Sequence, residues 1–306
     1  MTALYDVAAI GNAIVDVIAQ CDDAFLEREG LIKGSMALID PARAASLYEV
    51  MAAGIEASGG SAANTAAWLG SLGARVDFVG SVAAADVDRH AALLPNVAAH
   101  LRGDAELPTG TIVVIVEGER RAMLTERGAN ARLDPADVAD AMLGAAGVLH
   151  IAGHALLNDA GIGDLIARAH AAGTAVSVAP GSAGFIADFG VEAFLAQIAG
   201  ADILFPSLEE GRLLTGLADP EAVALALPAA TVVLTLGRDG VAVAHDGVVT
   251  FVEAVTVPVV DPTGAGDAFC AGFLDQWVRT GDPVVSARAG VLVASRAVGV
   301  IGGRPA

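Results

Sequence analysis

From Gly147 to Val252 the chain alternates short apolar runs with helix-patterned stretches, which restricts it to one kind of architecture. "GVLHIAG" reads as strand, "DAGIGDLIARAHAAG" as helix, "TAVSVAPG" as strand and "VEAFLAQIAG" as helix. "ADILFPS" is then strand, "EEGRLLTGL" helix and "TVVLTLG" strand. Strands separated by helices pair in parallel, and a parallel sheet has to be covered on both faces. The predicted fold class is therefore α/β, a three-layer sandwich with a mostly parallel central sheet. In such sheets ligands lie beyond the carboxyl ends of the strands.

The flanking segments extend this pattern. "YDVAAIG" is a strand running into Gly11, and "ARVDFVG" is another. Gly59 to Gly73 is a Gly-rich entry into a helix with a glycine stop. "VAAADVDRHAALLPNVAAHLRGDAELP" has weak periodicity and reads as a short helix plus loop. "TGTIVVIVEGERRAMLTE" is a hairpin turning at Glu117-Gly118-Glu119, and a second hairpin turns at Asp246-Gly247. Asp134 and Pro135 mark a helix start as N-cap and first helical residue. "DPVVSARAGVLVASRAVGVIGG" reads as the closing helix. The β-rich pieces near 12–20, 35–40 and 110–127 fit the alternation poorly and suit a small sheet standing over the carboxyl edge as a lid. There is no internal repeat or linker, so residues 1–306 are expected to form a single domain.

Composition excludes several functions. A hydrophobic content of 55% allows a large core, and a net charge of −19 disfavours nucleic acid and anionic membrane as partners. No apolar run reaches eighteen residues, and the N-terminus carries an acidic residue where a signal peptide would be basic, so a cytoplasmic protein is expected. Cys21 and Cys270 are too few for a disulfide framework or a metal knuckle, and read as two buried thiols. Lys33 is the only lysine among the 17 basic residues, and it lies in no P-loop or kinase-strand context. The first strand turn, "AIGNAIVD", lacks the G-x-G-x-x-G of a dinucleotide site. A chain like this has to hold phosphates with backbone amides, arginine and metal.

"DPTGAGDAFCAGFLDQW" (Asp261–Trp277) offers the amides. The N–H groups of Gly264, Ala265 and Gly266 can converge on an anion at a helix start, where the dipole adds roughly half a positive charge. Asp267 follows in the first turn. A carboxylate beside an anion hole suits proton removal from an attacking hydroxyl while the amides hold charge on a phosphoryl group. Alone, the pattern also describes a capped helix with glycine for tight packing. The preceding "DPT" and the small face Ala268, Ala271, Gly272 go beyond that reading.

This motif resembles the C-terminal signature of the ribokinase-like (PfkB) family of sugar and nucleoside kinases. Gly59-Gly60…Asn64 resembles the family's N-terminal signature, about two hundred residues earlier and in the family's order. The resemblance covers essentially the whole chain. It implies a ribokinase-like sandwich with a β-sheet lid, and an ATP-dependent kinase acting on a small-molecule hydroxyl. Asp267 would be the base, with Gly264, Ala265 and Gly266 as the anion hole and Thr263 beside it. Thr235, Gly237 and Gly240 of "TLGRDG" would lie near the ATP phosphates or ribose. Asn12 and Asp16 of "GNAIVD" would grip substrate hydroxyls, a task that suits an amide and a carboxylate. Gly59, Gly60 and Asn64 would sit under the same substrate. Glu210 of "FPSLEEG" would order Mg2+ and its waters. Asp261 would keep a structural or ion-binding place, with K+ left open as a further cation.

Departures accompany the match. Ser207 stands where the family has asparagine, and Ala179 where many relatives carry aspartate. The segment after Gly80 is a poor, shortened match to the usual Gly-Asp-Asp loop, and the chain stops at "GGRPA". Arg120, Arg121 and Arg127 lie on or just after the lid hairpin, where a solvated role competes with substrate contact; "RGAN" (Arg127–Asn130) resembles sugar-kinase relatives. His154 lies at a predicted carboxyl edge and fits a structural role slightly better than a substrate contact. Phe78, Phe205 and Phe251 are expected in the core. The N-terminal part resembles adenosine kinases, while "GERRAMLTERGANARL" looks more like sugar kinases. The expected acceptor is a sugar or sugar derivative, with a nucleoside as the alternative. A non-catalytic ligand-binding protein on the same fold is the remote one. Homodimerisation through the lid is plausible by resemblance.

Overall fold

The structure, a computed structural model, describes residues 4–20, 23–29, 36–50, 55–117, 120–158 and 161–305. Cys21, Lys33, the hairpin turn at Gly118-Glu119 and the first residue of the 35–40 lid segment lie outside the described residues. In chain order the strands are β1 (Tyr5–Ile10), β2 (Ile14–Gln20), β3 (Met36–Leu38), β4 (Ile55–Gly59) and β5 (Val76–Ala83). β6 (Val97–Asp104), β7 (Thr109–Glu117), β8 (Arg120–Gly128), β9 (Ala146–Ala152) and β10 (Ala175–Ala179) follow. The last four are β11 (Ile203–Leu204), β12 (Thr231–Thr235), β13 (Val241–His245) and β14 (Val248–Val252).

Nine of these form the main sheet, in the order β14-β13-β12-β11-β10-β9-β1-β5-β6. From β6 through β12 every pairing is parallel; only the β12–β13 and β13–β14 pairings are antiparallel. β1 shows how the sheet is covered. Val7 and Ala9 pack with the helices Ser61–Ser71, Ala265–Thr280 and Pro283–Ala297. Ala8 and Ile10 pack with the helices on the other face, among them Gly161–Ala171, Val191–Gln197 and Leu208–Thr215. All four are at most 2% exposed, as the central strand of a doubly covered parallel sheet requires. The remaining strands form the five-stranded sheet β3-β8-β7-β2-β4. The lid segments read from the sequence are its strands β2, β3, β7 and β8, joined by β4.

Several expectations need correction. The stretch read as helix plus loop contains β6, paired over eight residues with β5. Only Val97, Ala99 and Leu101 alternate there, half-buried on an edge, and alanine is a poor strand former. After Asp134 and Pro135 there is a 3-10 turn, then a separate short helix Asp140–Leu143. The carbonyls of Pro135 and Val138, which a continuous helix would use internally, accept from the Arg168 guanidinium. Helices Ala183–Phe189 and Pro220–Ala226 were not read, although Ser182 and Asp219 cap them by side-chain acceptance. Phe251 is 56% exposed because β14 is the outermost strand, whereas Phe78 and Phe205 are core.

The closing helix is shorter than its pattern. It ends at Ala297, because the Val298 carbonyl is taken by the N–H groups of Val260 and Asp261. Residues 298–305 then turn back onto the Ser61–Ser71 helix and the start of the Ala265–Thr280 helix. The Ala265–Thr280 and Pro283–Ala297 helices approach closely. A Cβ at Gly272 would lie 2.7 Å from Val293 Cγ2, and one at Gly290 2.7 Å from the Phe269 ring. Replacing Gly272 by valine is expected to lower stability by about 1–3 kcal/mol through overpacking. Urea unfolding should show a lower midpoint with an unchanged slope; an unchanged midpoint would mean that the helices have room to spare.

Candidate active site

Asp267 lies in the first turn of the Ala265–Thr280 helix, after Gly264 turns the chain in the left-handed region (φ 74°). Its Oδ1 accepts from Ser61 Oγ (2.7 Å) and its Oδ2 from Asn64 Nδ2 (2.9 Å), while its carbonyl accepts from Thr65 Oγ1 (3.2 Å). The three donors sit at i, i+3 and i+4 of one helix, so they share a face. Burial raises the Asp267 carboxyl to about 6, against the pull of the two side-chain hydrogen bonds and of Arg304.

Asp16 comes from the neighbouring sheet on β2. Burial raises its carboxyl to about 7; Arg304 pulls it down and Asp267 pushes it up. Its Oδ1 and Asn12 Oδ1 are buried acceptors with no partner. A buried polar group left unpaired is unfavourable, so both are free to take hydroxyl donors from a bound molecule. Gly59 and Gly60 make the junction possible. A Cβ at Gly59 would stand 2.0 Å from Asp16 Oδ1, and one at Gly60, where φ is +99°, would stand 1.9 Å from the Asn12 carbonyl. The glycine pair read as room for a ligand is thus required first by the protein's own carboxylate and backbone.

The tail completes the site. Gly302 N donates to Asp261 Oδ2 (2.9 Å), and Thr263 N to Asp261 Oδ1 (2.9 Å), so one carboxylate ties the tail to the anion-hole turn. Trp68 Nε1 donates to the Gly303 carbonyl (3.0 Å). Arg304 Nε donates to Asn64 Oδ1 (3.2 Å), Nη2 to the Gly59 carbonyl (3.1 Å) and Nη1 to the Leu93 carbonyl (2.9 Å). Ser61 and Arg304 are residues that the sequence reading missed. Ser61 carried a signal, as the first helical residue three places before Asn64. Arg304 carried none, since its role depends on the tail turning back.

Beside Asp267 a cavity of about 600 Å³ opens, lined by Thr235, Gly237, Gly240, Ala265 and Gly266 and by the segment 254–259. Three of the four residues expected on the nucleotide side, Thr235, Gly237 and Gly240, thus share one cavity, and Thr263 does not line it. Gly264 instead backs onto Gly303, where a Cβ would come within 2.4 Å of the Gly303 Cα. Thr263 Oγ1 is buried without a partner.

Glu210 and Ser207 form a capping box, with Ser207 N donating to Glu210 Oε2 (2.6 Å) and Glu210 N to Ser207 Oγ (3.3 Å). Serine for asparagine at position 207 thus keeps a good N-cap. Burial raises the Glu210 carboxyl. Among the described residues no three His, Cys, Asp or Glu side chains converge as a cage for a metal ion. His154 packs its ring on Phe185 and burial lowers it to about 4, which fits the structural reading. The Arg127 guanidinium has two buried nitrogens, Nε and Nη2, with no partner, so it is not a solvated hairpin arginine. Arg120 and Arg121 lie on β8, but their side chains fall outside the described part. Among the described residues no helix is long and apolar enough to cross a membrane.

Two sheets thus meet at a carboxylate on a helix start, beside a cavity lined by Ala265 and Gly266 of that helix. The family description "pfkB family carbohydrate kinase" matches residues 49–306, and the chain belongs to this family of ATP-dependent sugar and nucleoside kinases. A probable sugar kinase from Rhizobium etli CFN 42 superposes with a TM-score of 0.92 at 31% identity, over 99% of this chain and 96% of that one. An adenosine kinase from Sinorhizobium meliloti superposes with a TM-score of 0.91 at 34% identity, with the same coverage. Adenosine kinase 2 of Arabidopsis thaliana is 28% identical over 300 residues, 88% of this chain and 87% of that protein. The fold is accordingly ribokinase-like, as read from the sequence.

A Cβ at Gly266 would meet nothing within 4 Å, although the residue lines the cavity. Gly266→Leu is therefore expected to keep the wild-type melting temperature and to lose binding of a fluorescent ATP analogue. Retained binding would place the phosphates elsewhere.

Proposed function

We propose that the chain transfers the γ-phosphoryl group of ATP to a primary hydroxyl of a sugar or sugar derivative. The observation that carries this reading is Asp267. It is half-buried, held in place by Ser61 and Asn64, and set at the helix start that borders the cavity. Asp267 accepts the proton of the attacking hydroxyl. The N–H groups of Gly264 and Gly266, with that of Ala265, which also donates to the Pro262 carbonyl (3.3 Å), face the charge that grows on the phosphoryl oxygens. Asn12, Asp16 and Asn64 hold the other hydroxyls and so fix which one meets Asp267, which accounts for the two orphaned acceptors. Thr235, Gly237 and Gly240 line the nucleotide side, with Thr263 in the turn beside it. Magnesium, when bound, neutralises phosphate charge; Glu210, a buried carboxylate on the same side as Asp267 and Cys270, fits the ordering of its water shell.

The polar character of the substrate wall supports a sugar. Asn12 and Asp16 present unpaired acceptors there. A second reading, a nucleoside as acceptor, is favoured by relatives such as the Arabidopsis thaliana protein, which match over most of both chains and carry the name adenosine kinase. Comparing kcat/KM for pentoses, hexoses and sugar acids with that for purine nucleosides separates the two. The sugar reading fails if the nucleosides win.

Asp267→Asn should reduce kcat by about 10²–10⁴-fold with little change in KM. A mutant turning over at the wild-type rate would remove Asp267 from the role of base. Because the base works ionised and its carboxyl is raised to about 6, wild-type kcat/KM should fall as pH drops through about 6.

A further inference from the structure

Arg304 is held on three sides by acceptors from three parts of the chain. Its Nε binds Asn64 Oδ1, Nη2 the Gly59 carbonyl and Nη1 the Leu93 carbonyl. The first of these bonds determines which way the Asn64 amide points. With Oδ1 facing Arg304, Nδ2 has to face Asp267, where it donates at 2.9 Å. A flipped amide would set two donors against each other at Arg304 and two acceptors against each other at Asp267. Gly303 allows the approach, since a Cβ there would stand 2.5 Å from Asn64 Nδ2. The clamp through Asp261 and Trp68 holds the tail in place.

We propose that Arg304 is a positioning residue of the phosphoryl transfer. It fixes the Asn64 amide that holds Asp267, and it is the cation that faces both carboxylates of the site. The inference rests on the kinase reading, in which Asp267 is the base. The charged and titratable groups around the pair are few. Asp267 faces Arg304 from the tail and Cys270 on its own helix; Asp16 faces Arg304 and Asp267; Arg304 also faces His90 on the helix Val87–Ala92. Among the described residues Arg304 alone brings positive charge to both carboxylates.

The linkage sign follows from burial. Both carboxyls are raised above the ordinary 3.8, to about 6 and about 7, so the folded chain holds more protons than the unfolded one between those values. Stability therefore falls as pH rises across that window. Arg304 moderates the fall by favouring the ionised forms. Its removal should make the fall steeper and carry it to higher pH.

The test compares wild type, Arg304→Gln and Arg304→Lys in two ways. In kcat/KM against pH, Arg304→Gln should move the acid limb up by about one pH unit, since an opposite charge nearby lowers a carboxyl by that order. Arg304→Lys should keep the limb near its wild-type position but lose kcat, because an ammonium keeps the charge without the planar three-way grip. In thermal unfolding, the gap in melting temperature between wild type and Arg304→Gln should widen from pH 5 to pH 8. A loss of kcat that is even across pH, with a constant melting gap, would reduce Arg304 to a structural anchor and overturn the proposal. A wild-type chain that transfers no phosphoryl group defeats the kinase reading instead. The melting comparison then still decides the charge role: a widening gap supports it and a constant gap overturns it.

Discussion

Ser61, Asn64 and Thr65, on one face of one helix, hold both carboxyl oxygens and the carbonyl of Asp267, about two hundred residues away in the chain. The contact requires the Ser61–Ser71 and Ala265–Thr280 helices to lie side by side on one face of the sheet. They do so with small residues, Ala62, Ala63, Ala66 and Ala67 on one and Ala268 and Ala271 on the other, all buried. The burial that raises the Asp267 carboxyl follows from the same packing. A carboxylate taken out of water is stable only where donors meet it, and these donors are also what aim it.

The protein is strongly acidic, yet the phosphate site proposed for it needs no net positive charge. Surface charge and local potential are separate matters, because backbone amides at a helix start and one arginine act at contact distance, where screening by water is weak. The tail contributes the arginine and closes one wall. Asp261 takes the structural role, with both oxygens occupied by backbone N–H groups of the turn and the tail.

Much of this was legible in the sequence. The alternation of apolar runs and helical stretches gave the main sheet because strands buried on both faces read as continuous apolar segments. Asp267 and the two glycine motifs stood out because few folds need such residues at helix mouths, whereas Asn12, just before β2, and Asp16, near its start, stood out through the family resemblance. β6 was missed because an alanine-rich edge strand has hardly any pattern. The break after Asp137 was missed because it depends on Arg168, thirty residues later. Arg304 was unreadable for a similar reason: nothing local says that a helix-patterned end will stop at Ala297 and fold back on the Ser61–Ser71 helix. Gly59 and Gly60 were located correctly, but the structure shows that the neighbours needing the space are Asp16 and Asn12.

The central claim, phosphoryl transfer from ATP to a small polyhydroxylated acceptor, is tested most directly by incubating the wild-type protein with ATP, magnesium and a panel of sugars, sugar acids and nucleosides. ADP and the phosphorylated product are then followed together. The account predicts ADP release that depends on acceptor and is matched by one monophosphate product, from an acceptor with a primary hydroxyl and neighbouring hydroxyls. ADP release without any acceptor-derived product, or no turnover across the whole panel, would contradict it.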